Sequence, residues 1–362
     1  MAYRQTYLKV NLAAISHNIK AIKYRSSKEL IGVVKANGYG VGDLAIAEAL
    51  IKEGAVMLAV SSLDEALHLR KNNIKIDILI LGYVDPKDLE IVKQYKLILT
   101  VPSLDWVKEI SSKDPLNLRV HVKVDTKMNR LGITTLSDWK MALTMLNKLG
   151  VKVEGAFTHY ASSDEEDNYI TKVQYQLFEE YLDASPIKFK WIHAANSDAS
   201  FHFKEEKRTN AVRAGIALLG YCRYNEDLMP ALGLYSRIVM IKHVPANETI
   251  SYGCTYTTEK DEIIATLPIG YADGLVRKNQ DRLVYINEDK VQIVGRICMD
   301  QCMIKLNKDA KINDEVEIFG PNIKLENMAK ELDTTVYEII TLISNRVARI
   351  FYDKKPTNLK HH

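Results

Sequence analysis

The feature that most limits the fold of this chain is a regular alternation of short apolar segments with amphipathic segments, from residue 31 to about residue 220. The apolar segments read as buried strands at 31–35, 56–61, 76–82, 97–100, 118–125, 153–158, 191–195 and 211–214. Between them, apolar residues recur three and four positions apart, which predicts helices at 43–52, 63–71, 86–94, 104–110, 136–149 and 170–182. Eight strands that mostly alternate with helices favour a TIM-like (β/α)8 barrel over a doubly wound sheet, which remains the alternative.

The pattern changes near residue 233, where short strands joined by polar turns replace the alternation. The predicted strands are 234–244, 248–256, 262–268, 282–286, 290–294, 302–306 and 315–319, with helices near 325–332 and 336–345. We therefore expect an α/β chain with a barrel domain at 12–232 and a mostly β domain at 233–358. The alternating segment 6–12 precedes the barrel pattern, and we expect it to join the β domain.

The composition is that of an ordinary soluble globular protein, with 47% hydrophobic and 26% charged residues. The net charge of +3 is small and no block of like charges occurs, so nucleic-acid binding has no electrostatic support. We expect no membrane segment and no signal peptide in this chain. The four cysteines have no accompanying histidines at zinc spacing, so reduced cytosolic thiols and no metal site are expected.

The first barrel strand ends in Lys35, which a glycine-rich turn follows. A lysine at the carboxyl end of a buried strand opens into the mouth of a barrel, where desolvation lowers its pKa and makes the amine a usable nucleophile. Tyr39 follows where a phosphate-accepting turn would be expected. The alternative for Lys35 is a surface lysine that caps the strand.

Other chemically capable residues follow the later strands, at the end of the barrel where such enzymes place their chemistry. They are Arg130 after the fifth strand, His159 after the sixth, Asn196 and Ser197 after the seventh, and Arg213, Gly215 and Ile216 at the eighth. Each has a structural alternative: a surface ion pair for Arg130, a satisfied core histidine for His159, a helix N-cap for Ser197. Their clustering at one predicted face favours a common site.

Seven segments in a fixed order carry a resemblance to a known family. They are Val34-Lys-Ala-Asn-Gly-Tyr-Gly40, Val124-Asp-Thr-Lys-Met-Asn-Arg-Leu-Gly132, Ala195-Asn-Ser197, Val212-Arg-Ala-Gly-Ile-Ala-Leu-Leu-Gly-Tyr221, Ser251-Tyr-Gly253, Ile269-Gly-Tyr-Ala-Asp-Gly274 and Gly295-Arg-Ile-Cys-Met-Asp300. On these segments, and over nearly its whole length, the chain resembles the alanine racemases, barrel-plus-β-domain enzymes that use pyridoxal 5'-phosphate.

The resemblance implies a two-base racemase. Lys35 would hold the cofactor as a Schiff base and then act as one base, and Tyr252 of the neighbouring subunit would be the opposite base, so a homodimer with shared sites is expected. Two bases on opposite faces allow a proton to leave one side of Cα and return to the other. His159 and Arg213 would supply the surroundings that a tyrosine base needs, and Arg213 would also meet the pyridine nitrogen.

The remaining roles are likewise implied by the resemblance. Cofactor-binding residues would be Lys35, Tyr39, Arg130, His159, Asn196, Ser197, Arg213, Gly215, Ile216 and Asn345. Substrate-binding residues would be Arg130, Tyr271, Met299, Asp300 and Asn345. Lys123 would be carbamylated and orient Arg130, or it would be a barrel lysine paired with an acid; the sequence leaves both open.

Two departures from the family pattern stand out. Lys127 and Asn129 replace the usual glycines beside Arg130, which puts the geometry of that loop in question. Asn345 replaces the usual tyrosine. Its shorter side chain and its amide favour a substrate whose own side chain is larger than methyl and bears a hydroxyl. Together they resemble the racemase domain of the membrane serine/alanine racemases associated with vancomycin resistance.

The expected function is therefore interconversion of L- and D-serine and of L- and D-alanine, supplying D-amino acids for peptidoglycan precursors. On that interpretation the chain would act at the cytoplasmic face, and a membrane portion would have preceded residue 1. The main alternative is a plain alanine racemase. A barrel-type decarboxylase or aldolase and a non-catalytic pyridoxal-phosphate carrier are weaker alternatives, because of Arg213 and the second domain respectively.

Overall fold

A computed structural model describes residues 3–224 and 227–354 of the chain. The chain forms two compact units. One unit, Ala14–Met229, is the barrel unit, and the other, the β unit, combines the segment up to Ala13 with the chain from Pro230 onward. The first strand, β1 (Tyr7–Asn11), belongs to the β unit. Within the described residues no helix is both long and apolar enough to span a bilayer.

Eight parallel strands close the barrel in the order of the sequence. They are β2 (Glu29–Val33), β3 (Met57–Val60), β4 (Ile78–Ile80), β5 (Ile98–Val101), β6 (Arg119–Lys123), β7 (Lys152–Phe157), β8 (Trp191–His193) and β9 (Ala211–Ala214). Pairing of β9 with β2 completes the ring. The predicted (β/α)8 barrel followed by a mostly β domain is confirmed.

One helix precedes the first barrel strand, and at least one lies between each pair of consecutive barrel strands. They are Leu12–Ser26, Asp43–Lys52, Leu63–Lys71, Leu89–Gln94, Leu104–Ile110, Leu136–Lys148, Tyr169–Asp183 and the short Ala199–His202. Ser62, Ser103 and Thr135 start three of them, because each side-chain oxygen accepts an amide hydrogen from the first turn.

The β unit contains a nine-stranded sheet in the order β11-β14-β17-β16-β15-β18-β10-β1-β19 and a two-stranded sheet of β12 and β13. The strands are β10 (Leu232–Arg237), β11 (Met240–Val244), β12 (Thr249–Ile250), β13 (Tyr256–Thr257), β14 (Glu262–Leu267), β15 (Leu283–Ile286), β16 (Asp289–Val294), β17 (Cys302–Leu306), β18 (Glu315–Phe319) and β19 (Ala348–Tyr352). Helices Leu325–Leu332 and Val336–Leu342 precede β19. β1 pairs antiparallel with β10 and parallel with β19.

Two predicted strands of this unit are wrong as single elements. The predicted strand 234–244 is two strands, because β10 pairs with β18 whereas β11 pairs with β14. The predicted strand 248–256 is a two-residue strand on either side of a turn at Tyr252–Cys254. Apolar patterning alone does not reveal a change of strand partner.

Candidate active site

Lys35 lies just beyond the end of β2, at the carboxyl-terminal mouth of the barrel. It opens a left-handed turn in which Ala36 and Asn37 have φ values of 52° and 55°. Such angles are unfavourable for residues with a Cβ, and strain of this kind concentrates at functional sites. Burial lowers the pKa of the half-buried Lys35 amine, the charge of Arg130 lowers it further, and the carboxylate of Glu65 opposes both.

Glu65 is a site-forming residue that sequence reasoning missed. Its carboxylate accepts the amide hydrogen of Ala36 at 2.7 Å and that of Ser61 at 2.6 Å. It therefore joins the turn after β2 to the loop after β3 and holds the backbone beside Lys35. The pattern Ser62-x-x-Glu65 is typical of a helix N-terminus, so it predicts a local role for Glu65. Nothing in that pattern indicates the long-range contact with Ala36.

Arg213 is buried inside the barrel and lies within β9, whose bounds are those of the predicted strand 211–214. Its guanidinium makes five hydrogen bonds to barrel acceptors: His193 Nδ1, the carbonyls of His193, Thr158 and Ala194, and His159 Nδ1. Both terminal nitrogens are thereby engaged, and within the described residues the Nε of Arg213 has no hydrogen-bond partner. Burial lowers the pKa of Arg213 to about 10, which leaves it protonated at neutral pH.

Two further buried histidines extend from Arg213 into the barrel, and neither was proposed from the sequence. His193 Nδ1 accepts from Arg213 at 2.6 Å, and the other ring nitrogen of His193 lies 2.9 Å from His121 Nδ1. Burial lowers the pKa of His121 to about 3 and that of His193 well below its ordinary value, so both are neutral. Since Nδ1 of His193 accepts, its hydrogen is on Nε2 and points to His121.

The sequence did hold a signal for this interior group. In β6, Arg119, His121 and Lys123 alternate with valines, so the three polar side chains share one face of the strand. In a barrel strand that is otherwise apolar, such a polar face indicates an interior with polar contacts.

His159 accepts a hydrogen bond from Arg213 at Nδ1, over 3.0 Å. Burial and the charge of Arg213 hold the pKa of His159 well below its usual value, so the ring is neutral and carries its hydrogen on Nε2. His159 therefore offers a hydrogen-bond donor at the mouth of the barrel. It supplies no positive charge.

Tyr39, Ser197 and Gly215 meet where β2, β8 and β9 end. The hydroxyl of Ser197 accepts the amide hydrogens of Gly215 at 3.2 Å and Ala217 at 3.4 Å. A Cβ on Gly215 would lie 2.0 Å from the hydroxyl oxygen of Tyr39, so only glycine permits this approach. Ile216 begins a 3-10 turn, and its amide hydrogen has no acceptor within that turn. The cluster is suited to an anion such as phosphate.

Asn196 is used locally, because its amide oxygen accepts from the Ser163 hydroxyl at 2.7 Å and from the Ala199 amide at 3.1 Å. It lies beside Ser197, and the oxygen that it would offer a ligand is already bonded.

Arg130 lies in an exposed loop beyond β6. The carboxylate of Asp125 accepts the amide hydrogens of Asn129 at 3.0 Å and Arg130 at 2.9 Å and so fixes the loop. Lys127 and Asn129 have φ values of 78° and 55°. The loop thus keeps a backbone suited to glycine although neither residue is glycine.

Lys123 is buried, and its amine donates a hydrogen bond to the carbonyl of Leu131. Burial lowers its pKa to about 8. Among the described residues no carboxylate lies within ion-pair distance of this amine, which argues against an acid-paired barrel lysine.

The other proposed residues lie on loops of the β unit. Tyr252 is 71% exposed, Tyr271 42% and Met299 52%, and Asp300 and Asn345 are also exposed. These loops are tied together by contacts that the sequence did not predict. The buried carboxylate of Asp273 bonds Arg4 at 2.5 Å and the Gly270 amide at 3.0 Å.

The same network reaches the loop of Asn345. The backbone carbonyl of Asp273 accepts from the Ser344 amide at 3.2 Å, and Arg346 bonds Asp300 at 2.6 Å. The loops that carry Tyr271, Asp300 and Asn345 are therefore held in fixed relation within the β unit.

Comparison with known proteins identifies the family. Residues 10–223 match the family model described as "Alanine racemase, N-terminal domain", and residues 231–351 match "Alanine racemase, C-terminal domain". The chain belongs to the alanine racemase family. It is 40% identical to the alanine racemase of Staphylococcus carnosus over 98% of this chain and 96% of that protein. It is 39% identical to that of Macrococcus caseolyticus, over 97% and 95% respectively.

Solved alanine racemases share the fold. The crystal structure of the enzyme from E. faecalis has a TM-score of 0.92 at 35% identity, covering 97% of this chain and 99% of that one. Alanine racemases are pyridoxal-phosphate enzymes, and the crystal structure of the Bartonella henselae enzyme has covalently bound pyridoxal phosphate. These relatives carry the name alanine racemase; the resemblance to membrane serine/alanine racemases stays a prediction.

Proposed function

We propose that this protein is a pyridoxal-phosphate-dependent racemase that interconverts L- and D-alanine. The observation that carries the proposal is the position of Lys35, a half-buried amine with a lowered pKa at the mouth of the barrel. A lysine with these properties is a suitable nucleophile for an aldehyde cofactor. Membership of the alanine racemase family supplies the reaction class.

The barrel residues fit the cofactor. Lys35 would attach it, Arg213 would offer its Nε to the pyridine nitrogen, and Arg130 would meet the phenolic oxygen and the substrate carboxylate. Phosphate would lie against Tyr39, Ser197 and the amides of Gly215 and Ile216, where the absence of a Cβ on Gly215 lets the Tyr39 hydroxyl lie against the backbone. When bound, the group withdraws electrons from the Cα–H bond and makes that proton removable.

Arg213 favours racemisation over competing reactions. Its pKa of about 10 keeps it protonated, and its bonded imidazoles are neutral, so this surrounding does not readily give the pyridine nitrogen a proton. The ring is then a weaker electron sink, which disfavours side reactions such as transamination.

Two bases would move the proton. Lys35 would act on one face of Cα, and the partner subunit's Tyr252 would act on the other, in a homodimer with shared sites. The exposed phenol of Tyr252 is available for such a role. His159 would assist by donating from Nε2. The substrate carboxylate would also meet the backbone of Met299, with Asp300 and Tyr271 beside it.

Lys123 would be carbamylated, its neutral amine adding to carbon dioxide with release of one proton. A pKa of about 8 leaves a useful neutral fraction near pH 7 to 8, and the nearby charges of Arg130 and Arg213 would favour an anion at this position. The resulting carboxylate would orient Arg130.

Serine is the second proposed substrate, on the strength of Asn345. This exposed side chain is shorter than the family's tyrosine and can bond a hydroxyl. A site that bonds a substrate hydroxyl discriminates strongly, whereas added space alone is worth about 1–3 kcal/mol. Supply of D-amino acids for peptidoglycan precursors, and a membrane-tethered form acting at the cytoplasmic face as in vancomycin resistance, would follow from that reading.

The test is to incubate the purified protein and cofactor with L-alanine or L-serine and to measure each D-isomer by chiral chromatography. Formation of D-alanine by the wild type and not by Lys35→Ala supports the racemase. Absence of any D-isomer from a cofactor-loaded protein would contradict it.

Asn345 variants then separate the two substrates. We expect Asn345→Tyr to depress serine turnover far more than alanine turnover. Asn345→Ala keeps the space but removes the amide, so loss of serine turnover in this control would locate the effect in the hydrogen bond. An equal fall for both substrates, or no serine turnover in the wild type, would leave a plain alanine racemase.

A further inference from the structure

Ser251, the residue before Tyr252, has a backbone conformation that residues with side chains rarely adopt. Its φ is 69° and its ψ is −176°. This region is occupied almost solely by glycine, and other residues persist there only where the surrounding structure holds them. The strain lies directly beside the proposed tyrosine base.

A hydrogen bond holds Ser251 in this conformation. Its hydroxyl donates to the carbonyl oxygen of Arg296 at 2.6 Å and also lies 3.6 Å from the sulfur of Cys298. Because a short side chain is fixed to the backbone of a neighbouring loop, the Ser251 backbone cannot relax without breaking that bond.

Close packing against residues 295–296 supports the same loop. A Cβ on Gly295 would lie 2.8 Å from the carbonyl oxygen of Ile250 and 2.8 Å from the Cβ of Ser251. A Cβ on Gly253 would lie 2.8 Å from a guanidinium nitrogen of Arg296. The loop 251–254 therefore lies directly on the loop 295–298.

Tyr252 itself has little to fix it within the β unit. Its side chain is 71% exposed, and the described residues provide its phenol with no hydrogen bond. The direction of its Cα–Cβ bond is therefore set by the backbone of Ser251 and Gly253, and by the contacts that hold them.

We propose that Ser251 is a positioning residue, whose bond to the Arg296 carbonyl maintains a strained backbone that aims Tyr252 at the substrate. The inference rests on the proposed function, because it assumes that Tyr252 is one of the two bases. Ser251 touches neither substrate nor cofactor in this role and acts only through Tyr252.

The test uses Ser251→Ala, which loses the hydroxyl, and Ser251→Gly, which loses both the hydroxyl and the strain. In each cofactor-loaded enzyme we expect racemisation of alanine to fall by roughly 100-fold, as for a catalytic group displaced by about 1 Å. The melting temperature of Ser251→Gly should stay within roughly 2 °C of wild type, since relief of strain offsets the lost bond. Ser185→Ala is the matched control, because that hydroxyl also lies on a backbone carbonyl, at 2.9 Å, in a barrel-unit loop before β8.

Exchange of the Cα proton in deuterium oxide identifies the cause. If only Tyr252 is misplaced, Lys35 still removes and returns a proton on its own face, so one enantiomer of alanine exchanges without inversion, at a rate within roughly 3-fold of wild type. Racemisation near wild type in Ser251→Ala, or an equal loss of exchange and racemisation, would overturn the inference.

Tyr252→Phe separates this failure from failure of the proposed function. Exchange without racemisation in Tyr252→Phe, together with full racemisation in Ser251→Ala, would overturn the positioning role alone. Full racemisation in Tyr252→Phe would show that Tyr252 is not a base, and it would contradict the positioning role of Ser251 as well.

Discussion

Replacing Arg213 with lysine should destabilise the barrel unit strongly although the charge is kept. The guanidinium satisfies five acceptors, on His193, Thr158, His159 and Ala194. The His193 carbonyl also accepts the Thr158 amide hydrogen at 3.3 Å, so four of these acceptors depend on Arg213. An ammonium has three donors, so at least one of the four must lose its partner. Each unsatisfied buried group costs about 1–3 kcal/mol, so the free energy of unfolding should fall by at least that amount.

Urea unfolding followed by tryptophan fluorescence measures this loss in the right place. The three tryptophans, Trp106, Trp139 and Trp191, all lie between Ala14 and Met229 and so report on the barrel unit. Arg208→Lys is the control, because Arg208 is 38% exposed and pairs with Asp183, and we expect a change within about 0.5 kcal/mol. A loss below about 1 kcal/mol for Arg213→Lys would refute the view that this guanidinium organises the barrel interior.

Two other predictions concern stability. Burial lowers the pKa of His121, His159 and His193 in the folded state, so the unfolded chain binds more protons below pH 6.5. The free energy of unfolding should keep the full contribution of these histidines above that pH, and should fall by about 1.4 kcal/mol per pH unit for each histidine as the pH drops towards 5. Urea unfolding at several pH values measures this, and a slope that corresponds to uptake of less than one proton on unfolding would contradict it. Lys127→Gly should raise the free energy of unfolding by about 1 kcal/mol, because φ at Lys127 is 78°. In the same urea assay the control Lys140→Gly, within a helix, should lower it by about 1 kcal/mol. A lower free energy of unfolding for Lys127→Gly would contradict the positive φ.

Much of the barrel was predictable because its elements are built from local patterns. The helices Asp43–Lys52 and Leu63–Lys71 have the bounds that apolar spacing predicts. The β unit was harder, since its strands are delimited by their partners. The break between Arg237 and Met240 follows from a change of neighbour in the sheet, which no local pattern records.

Side chains at the barrel mouth were predictable from their positions at strand ends, but the contacts that hold them were not. Glu65 bonds the turn after Lys35 from a different βα unit. His121 lies 72 residues from His193 in the sequence, although the two rings are hydrogen-bonded. Such long-range polar contacts depend on the closed barrel, so they appear only when it has been built.

The two departures from the family pattern differ in what the structure shows of them. Lys127 and Asn129 have positive φ values, so the loop that carries Arg130 has a backbone that would suit glycine at both positions. Asn345 is exposed on its loop, and its influence on substrate choice stays a prediction.

The central claim is that each reaction site combines Lys35 of one subunit with the partner subunit's Tyr252. The most direct measurement mixes inactive Lys35→Ala protein with inactive Tyr252→Phe protein under conditions of subunit exchange and assays alanine racemisation. Random pairing makes half of the dimers hybrids, each with one complete site of two, so activity should recover to about 25% of wild type. No recovery in hybrids confirmed by native mass spectrometry would contradict the shared site.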